Sequence, residues 1–173
     1  MSSEPKVSVL FVCYANMCRS PLAEAVFRHM AREREVLDAI EVDSAGTHAA
    51  SGSAPHPLSV ETAATHGITV TGQSRQLYRD DLSRFDHVLV MDRHNLSTIQ
   101  RLAAPTPSAS LDEFPARVRL LRVVANPRAR GRDLDVPDPM GGGAKRYREV
   151  FDLLSSACEA LLDEIVEDLE GEG

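Results

Sequence analysis

KVSVLFVCYANMCRSPLAEAVF, residues 6–27, reads as a strand, a short loop and the start of a helix. Lys6 to Val12 is an apolar run rich in β-branched residues (Val7, Val9, Val12), the pattern of a strand buried on both faces of a parallel sheet. Ser20-Pro21 opens the helix, with Ser20 expected as N-cap and Pro21 at the first helical position. Leu22, Val26 and Met30 then share one helical face. Between strand and helix lies Cys13-Tyr14-Ala15-Asn16-Met17-Cys18-Arg19-Ser20, a Cys-x5-Arg loop.

Working outward, Ile40 to Ser44 predicts a second strand and Leu58 to His66 a helix stopped by Gly67. Phe85 to Met91 predicts a third strand, followed by a helix from Arg93 to about Leu102. Beyond the proline-bearing stretch from Ala104 to Pro115, a fourth strand is expected near Val118 to Val123. A last helix is expected from Ala144 to Leu169, with Val150, Leu154, Cys158, Leu161 and Ile165 along its apolar stripe. Strands alternating with helices imply right-handed βαβ units and an α/β fold of three layers, a parallel sheet with helices on both faces. Such sheets bind ligands outside the carboxyl ends of their strands, which points to the segment after Val12.

That segment has the chemistry of an anion site. A loop of this length can turn successive backbone N–H groups inward, and the following helix adds its free amides and positive dipole end. Arg19 can close the cradle with a bidentate fork on two phosphate oxygens. The same field favours the thiolate of Cys13, the form that acts as nucleophile, and Ser20 is placed to donate a hydrogen bond to that sulfur. Thiolate attack on a phosphomonoester calls for a general acid elsewhere in the chain. Asp138, in the stiffened loop Asp135-Val136-Pro137-Asp138-Pro139, is the candidate, and the same carboxylate can later activate water.

Bulk properties narrow the class. The 173 residues suit one domain, 1–173, with short disordered ends expected at 1–5 and 170–173. Three cysteines argue against a secreted disulfide framework, and neither they nor the six histidines have zinc-site spacing, so no metal or other cofactor is expected. A net charge of −7 argues against nucleic acid as a partner. No apolar run is long enough to span a membrane and no signal peptide is evident, so cytoplasmic localisation and no membrane partner are expected. Charge is unevenly spread: seven acids and no base follow from Glu159 onward, and Arg117 to Arg132 holds six arginines. The expected partners are a phosphorylated protein substrate and inorganic phosphate as product inhibitor, with the chain a monomer or weak dimer.

VLFVCYANMCRSPLAEAVF resembles the signature of the low-molecular-weight protein tyrosine phosphatases, bacterial members included, whose usual form is V-C-x-G-N-x-C-R-S-P. Ser44-Ala45-Gly46, His66-Gly67-Ile68, Arg75-Gln76, Phe85-Asp86, Met91-Asp92 with Asn95, and Asp138-Pro139 follow in the family's order, so the likeness spans nearly the whole chain. The resemblance implies a four-stranded parallel sheet in the flavodoxin-like order 2-1-3-4. It implies Cys13 as nucleophile, Arg19 as phosphate clamp and Asp138 as acid and base. Asn16 and Ser44 would hold the loop in shape, Ser20 would tune the thiolate, and Asp92 would support the site. Cys18 faces the same loop in that family, where a reversible Cys13–Cys18 disulfide would protect the nucleophile from over-oxidation. Its other reading is a small packing residue.

Three departures from the pattern matter. Ala15 replaces the glycine two residues after the nucleophile, at a cost of about 1 kcal/mol if its backbone needs a positive φ. Gly72 replaces a histidine expected three residues before Arg75, which removes one prop of the Asn16 network. Met140-Gly141 replaces the aromatic pair after Asp-Pro, so a specificity wall would have to come from Tyr14, His48 and Met140. Asp-Pro-Met-Gly-Gly resembles the Asp-Pro-Phe-Gly-Gly of bacterial relatives acting on arginine phosphate, but those carry threonine where Met17 stands here. Met17 lies inside the cradle and favours phosphotyrosine, with protein arginine phosphatase as the alternative. Arsenate reductase would need relay cysteines, and residues 72–92 contain none. A phosphate-binding module would be signalled by loss of Cys13, Arg19 or Asp138, and all three are present.

Overall fold

The computed structural model describes residues 4–172. Its centre is one parallel sheet of four strands, β1 (Val7–Cys13), β2 (Ile40–Gly46), β3 (His87–Val90) and β4 (Arg117–Leu120), in the order β2-β1-β3-β4. This is the expected three-layer α/β architecture. The apolar run of β1 is buried on both faces, and its parity divides the core. Val9, Phe11 and Cys13 join α1 (Arg19–Glu33) and α6 (Ala144–Gly171) in one cluster; Leu10 and Val12 join α3 (Asp81–Arg84) and α4 (Arg93–Ala103) in the other. Two shorter helices, α2 (Pro57–Ala64) and α5 (Leu121–Ala125), pack against α6.

Register sets the site. Cys13 pairs with Gly46, Val12 with Val90, and Val90 with Leu120, so the strands end together at one edge of the sheet. The main-chain bond from Val136 N to Met91 O brings the segment before Asp138 to that same edge. Gly46 is required there. A Cβ at this position would lie 2.6 Å from Tyr14 O and 2.9 Å from Asn16 N, so only glycine lets the loop after β1 press on the end of β2.

Three expectations about elements are corrected. Ser20 is not the N-cap of α1: Cys18 takes that place, Arg19 is the first helical residue, and the Ser20 hydroxyl turns to the Cys13 sulfur instead. Pro21 still fits, because the first helical bond is made by Leu22 N to Cys18 O and residue 21 would have no helical acceptor. The fourth strand stops at Leu120, since Leu121 begins α5 and Val123 is helical. There, packing of α5 on α6 outweighs the β-preference of Val123 and Val124. At the carboxyl end, α6 runs through Glu170 and Gly171, past the expected stop at Leu169; residues 1–3 and 173 of the expected disordered ends lie outside the described residues. The stripe Val150, Leu154, Cys158, Leu161 and Ile165 is buried as read, and Tyr147 extends it by one turn. No described helix is long and apolar enough to cross a membrane.

Candidate active site

Cys13 ends β1 with its sulfur nearly out of contact with bulk solvent. Two donors face it: the Asn16 backbone N–H at 3.3 Å and the Ser20 hydroxyl at 2.9 Å. Ser20 Oγ accepts from Asn16 Nδ2 at 2.8 Å, so its single proton is left for the sulfur or for Ala45 O at 3.3 Å. Against a thiolate, which can only accept, that proton goes to sulfur.

Asn16 carries the strain of the loop. Its φ is +56°, the left-handed region that asparagine tolerates better than most residues. The positive φ falls on Asn16 and not on Ala15, so the conditional cost at Ala15 does not arise. The Asn16 side chain locks the conformation: Nδ2 donates to Ser20 Oγ and to Ser44 Oγ (3.0 Å), and Oδ1 accepts from Arg75 N (3.0 Å). Both Nδ2 protons and Oδ1 thus have partners without a prop at position 72. Gly72, at φ +93°, leaves a polar cavity of about 120 Å³ beside Asn16 and Ser44. Replacing Asn16 with alanine leaves the half-buried Arg75 N–H without its acceptor and strains the backbone. The expected loss is about 2–4 kcal/mol in urea unfolding, together with weaker phosphate binding; a loss below about 0.5 kcal/mol would contradict this role.

Arg19 is 3% exposed and is aimed by three oxygens. Nη1 donates to Asp92 Oδ2 at 2.7 Å and to Val136 O at 3.0 Å, and Nη2 lies 3.8 Å from Asp138 Oδ2. Asp92 is anchored in turn as the N-cap of α4, in a reciprocal capping box with Asn95. Asp138 is half exposed, and its Oδ1 accepts from Met140 N at 3.0 Å. Upstream, Asp135 accepts from Arg93 through both backbone and guanidinium. Burial works against the Asp135 carboxylate, but these bonds prevail and hold it below the usual carboxylate range. A carboxylate so shifted contributes its stability above the unfolded value and loses it only as pH falls through the lowered folded one, so this anchor of the Asp138 loop persists at mildly acidic pH.

One cavity of about 280 Å³ gathers most of the expected site. Cys13, Arg19 and Asp138 line it. Tyr14, Ala15, Met17 and Cys18 line it from the loop, and Met140 from beyond Pro139. Asn16, Ser20 and Ser44 stand behind the loop, and Asp92 behind Arg19. His48 does not line the cavity; its ring stacks on Tyr14 with centroids 4.5 Å apart. Among the described residues no group of three or more His, Cys, Asp or Glu side chains is placed to hold a metal ion.

Two further residues, neither among the site residues expected from the sequence, stand close to the loop. Tyr147, fully buried, places its hydroxyl 3.3 Å from Cys18 Sγ, and its ring stacks on His56, whose backbone N–H donates to Met17 O. Burial pushes the Cys18 thiol up, against the opposing pull of the Tyr147 hydrogen bond, and burial also pushes Tyr147 up. His94, on the first turn of α4, lies 6.5 Å from the Tyr14 ring. Periodicity one turn before Val150 would have marked Tyr147 as core; nothing in the sequence links His94 to Tyr14. All three cysteines are free thiols, and Cys158 is held neutral by complete burial.

A four-stranded parallel sheet covered on both faces, with a Cys-x5-Arg loop capping its first strand, matches a recognised class of phosphatase. The model of the family described as low molecular weight phosphotyrosine protein phosphatase matches residues 8–171. The chain belongs to that family. A low molecular weight protein-tyrosine-phosphatase of Streptomyces coelicolor is 39% identical over 166 residues, covering 94% of this chain and 96% of the relative. The crystal structure of YfkJ from Bacillus subtilis superposes with a TM-score of 0.79 at 32% identity, over 94% of this chain and 96% of that one. A structure of the YwlE arginine phosphatase, a cysteine-to-serine mutant with a phosphorylated active site serine, gives a TM-score of 0.80 at 28% identity, over 94% and 97%.

Proposed function

We propose that this protein hydrolyses phosphotyrosine in other proteins through a phospho-Cys13 intermediate. The observation that carries the reading is the convergence of Cys13, Arg19 and Asp138 on one cavity, with the Asn16 N–H and the Ser20 hydroxyl already within hydrogen-bond distance of the sulfur. Cys13 Sγ attacks phosphorus, the S–P bond forms and the P–O bond to the leaving phenol breaks. Asp138 gives its proton to that oxygen. Loop amides and the Arg19 fork balance the charge on the equatorial oxygens, work a metal does in other phosphatases. Asp138, now a carboxylate, takes a proton from water as it attacks the phosphoenzyme; the S–P bond breaks, and Ser20 and Asn16 N–H receive the returning thiolate. Inorganic phosphate leaves, and by occupying the same cradle it inhibits as product. The phosphorylated serine in the YwlE structure supports the covalent route, because a phosphoryl group there rests on an active-site side chain. The cytoplasm, where thiols stay reduced, suits a nucleophile that must remain free.

Arginine phosphate is the second reading, favoured by the loop Asp138-Pro139-Met140-Gly141-Gly142 and by likeness to YwlE. Met17 lines the cavity and offers apolar, pliable contact where a polar phosphoguanidinium would want a hydroxyl. Steady-state kcat/KM on matched phosphotyrosine and phosphoarginine peptides, with a chelator present, decides between them. Phosphotyrosine is expected to win by about tenfold or more, equivalent to about 1.4 kcal/mol in the transition state. A win for phosphoarginine would overturn the substrate assignment, and silence on both with phosphate still bound would make the chain a binding module.

A further inference from the structure

The loop that carries Asp138 brings no aromatic ring to the cavity, since Met140 and Gly141 follow Pro139. Tyr14 is the aromatic side chain that lines it. At 44% exposure, an unsupported tyrosine next to the nucleophile would have to be ordered each time a ligand bound. This one is already held. The His48 ring stacks on it at 4.5 Å with 19° between planes, and the His94 ring lies at 6.5 Å with 30°.

The two imidazoles come from separately anchored elements. His48 N donates to Tyr14 O at 2.8 Å, Thr47 N donates to Cys13 O at 2.9 Å, and His48 Nδ1 meets Thr47 Oγ1 at 3.0 Å. His94 sits two residues beyond Asp92, the N-cap of α4 that also holds Arg19. The Tyr14 ring is therefore fixed in the same frame as the phosphate clamp.

We propose that His94 is a positioning residue for substrate specificity: with His48 it holds the Tyr14 ring as the aromatic wall for the aryl group of a phosphotyrosyl substrate. The proposal rests on the phosphotyrosine reading and deepens it. Holding the ring in advance removes an ordering cost that an aryl ligand would otherwise meet. An anion without a ring gains nothing from it.

That difference supplies the test. Dissociation constants for phenylphosphonate, an aryl anion that cannot be turned over, and for inorganic phosphate are measured on the wild type, His94→Ala, His94→Phe and Tyr14→Ala. His94→Ala is expected to weaken phenylphosphonate about three- to tenfold and phosphate by less than about twofold. His94→Phe restores aryl binding, Tyr14→Ala weakens it at least as much as His94→Ala, and KM for a phosphotyrosine peptide follows the same order. Unchanged phenylphosphonate affinity in His94→Ala overturns the proposal. Equal weakening of both anions does so too, because it would mean that His94 acts through the Asp92–Arg19 clamp. Hydrolysis assays on the same proteins separate the two levels. A wild type inactive on phosphotyrosine but with His94-dependent aryl binding would sink the substrate assignment and keep the wall, and the reverse pattern would sink the wall alone.

Discussion

Cys13→Ser is expected to lower kcat/KM on a phosphotyrosine peptide on the order of 10⁴- to 10⁶-fold while inorganic phosphate still binds. A serine hydroxyl at this position fits the space and can accept from Asn16 N–H and meet Ser20 Oγ, so the loop keeps its shape. It is not ionised at neutral pH, and the two donors that stabilise a thiolate do not make a nucleophile of it. Arg19 and the loop amides are untouched, which is why binding survives the loss of turnover. The check is steady-state kinetics beside calorimetric phosphate binding. A variant retaining wild-type turnover would remove Cys13 from the mechanism, and one that lost phosphate binding as well would show that the sulfur holds the loop together.

The second large effect belongs to Asp138→Asn, with kcat on phosphotyrosine falling on the order of 10²- to 10⁴-fold. Asparagine can still accept from Met140 N, and the lost ion contact to Arg19 was 3.8 Å long at a half-exposed carboxylate. Stability is therefore expected to stay within about 0.5 kcal/mol. In the proposed mechanism the change removes the proton for the departing phenol and the base for the second step. A substrate whose leaving group needs no proton should thus be less affected in the first step than phosphotyrosine, and phosphoenzyme should accumulate behind the slowed hydrolysis. A loss of activity that tracks a loss of stability would argue that Asp138 only shapes its loop.

Much of this arrangement is legible in residues 6–27, for a physical reason. A strand buried on both faces admits little but apolar residues, so its end is sharply marked, and the site sits at that end. The loop's hydrogen bonds are less legible. Ser20 has the look of an N-cap, yet its hydroxyl goes to the Cys13 sulfur, a choice visible only once the loop has curled. The left-handed residue is Asn16 rather than Ala15, because the Asn16 side chain has partners in Ser44 and Arg75, 28 and 59 positions away. Val123 and Val124 read as strand until α6 is present to pack against. The short helix α3, Asp81–Arg84, spans too few residues to show a period. Tyr147 meets Cys18 across 129 positions and His94 meets Tyr14 across two loops, and such pairs are written in the fold rather than in any local pattern.

In the proposed mechanism the phosphoryl group rests on Cys13 between the two chemical steps. Asp138→Asn protein mixed with a phosphorylated substrate bearing an activated leaving group, quenched rapidly and mapped by peptide mass analysis, tests it most directly. One phosphoryl group per chain, on the peptide containing Cys13 and absent when Cys13 is also replaced by alanine, is the predicted result. Continued product formation with Cys13 never modified would contradict the account, because phosphate would then pass straight to water and the sulfur would serve only the shape of the loop.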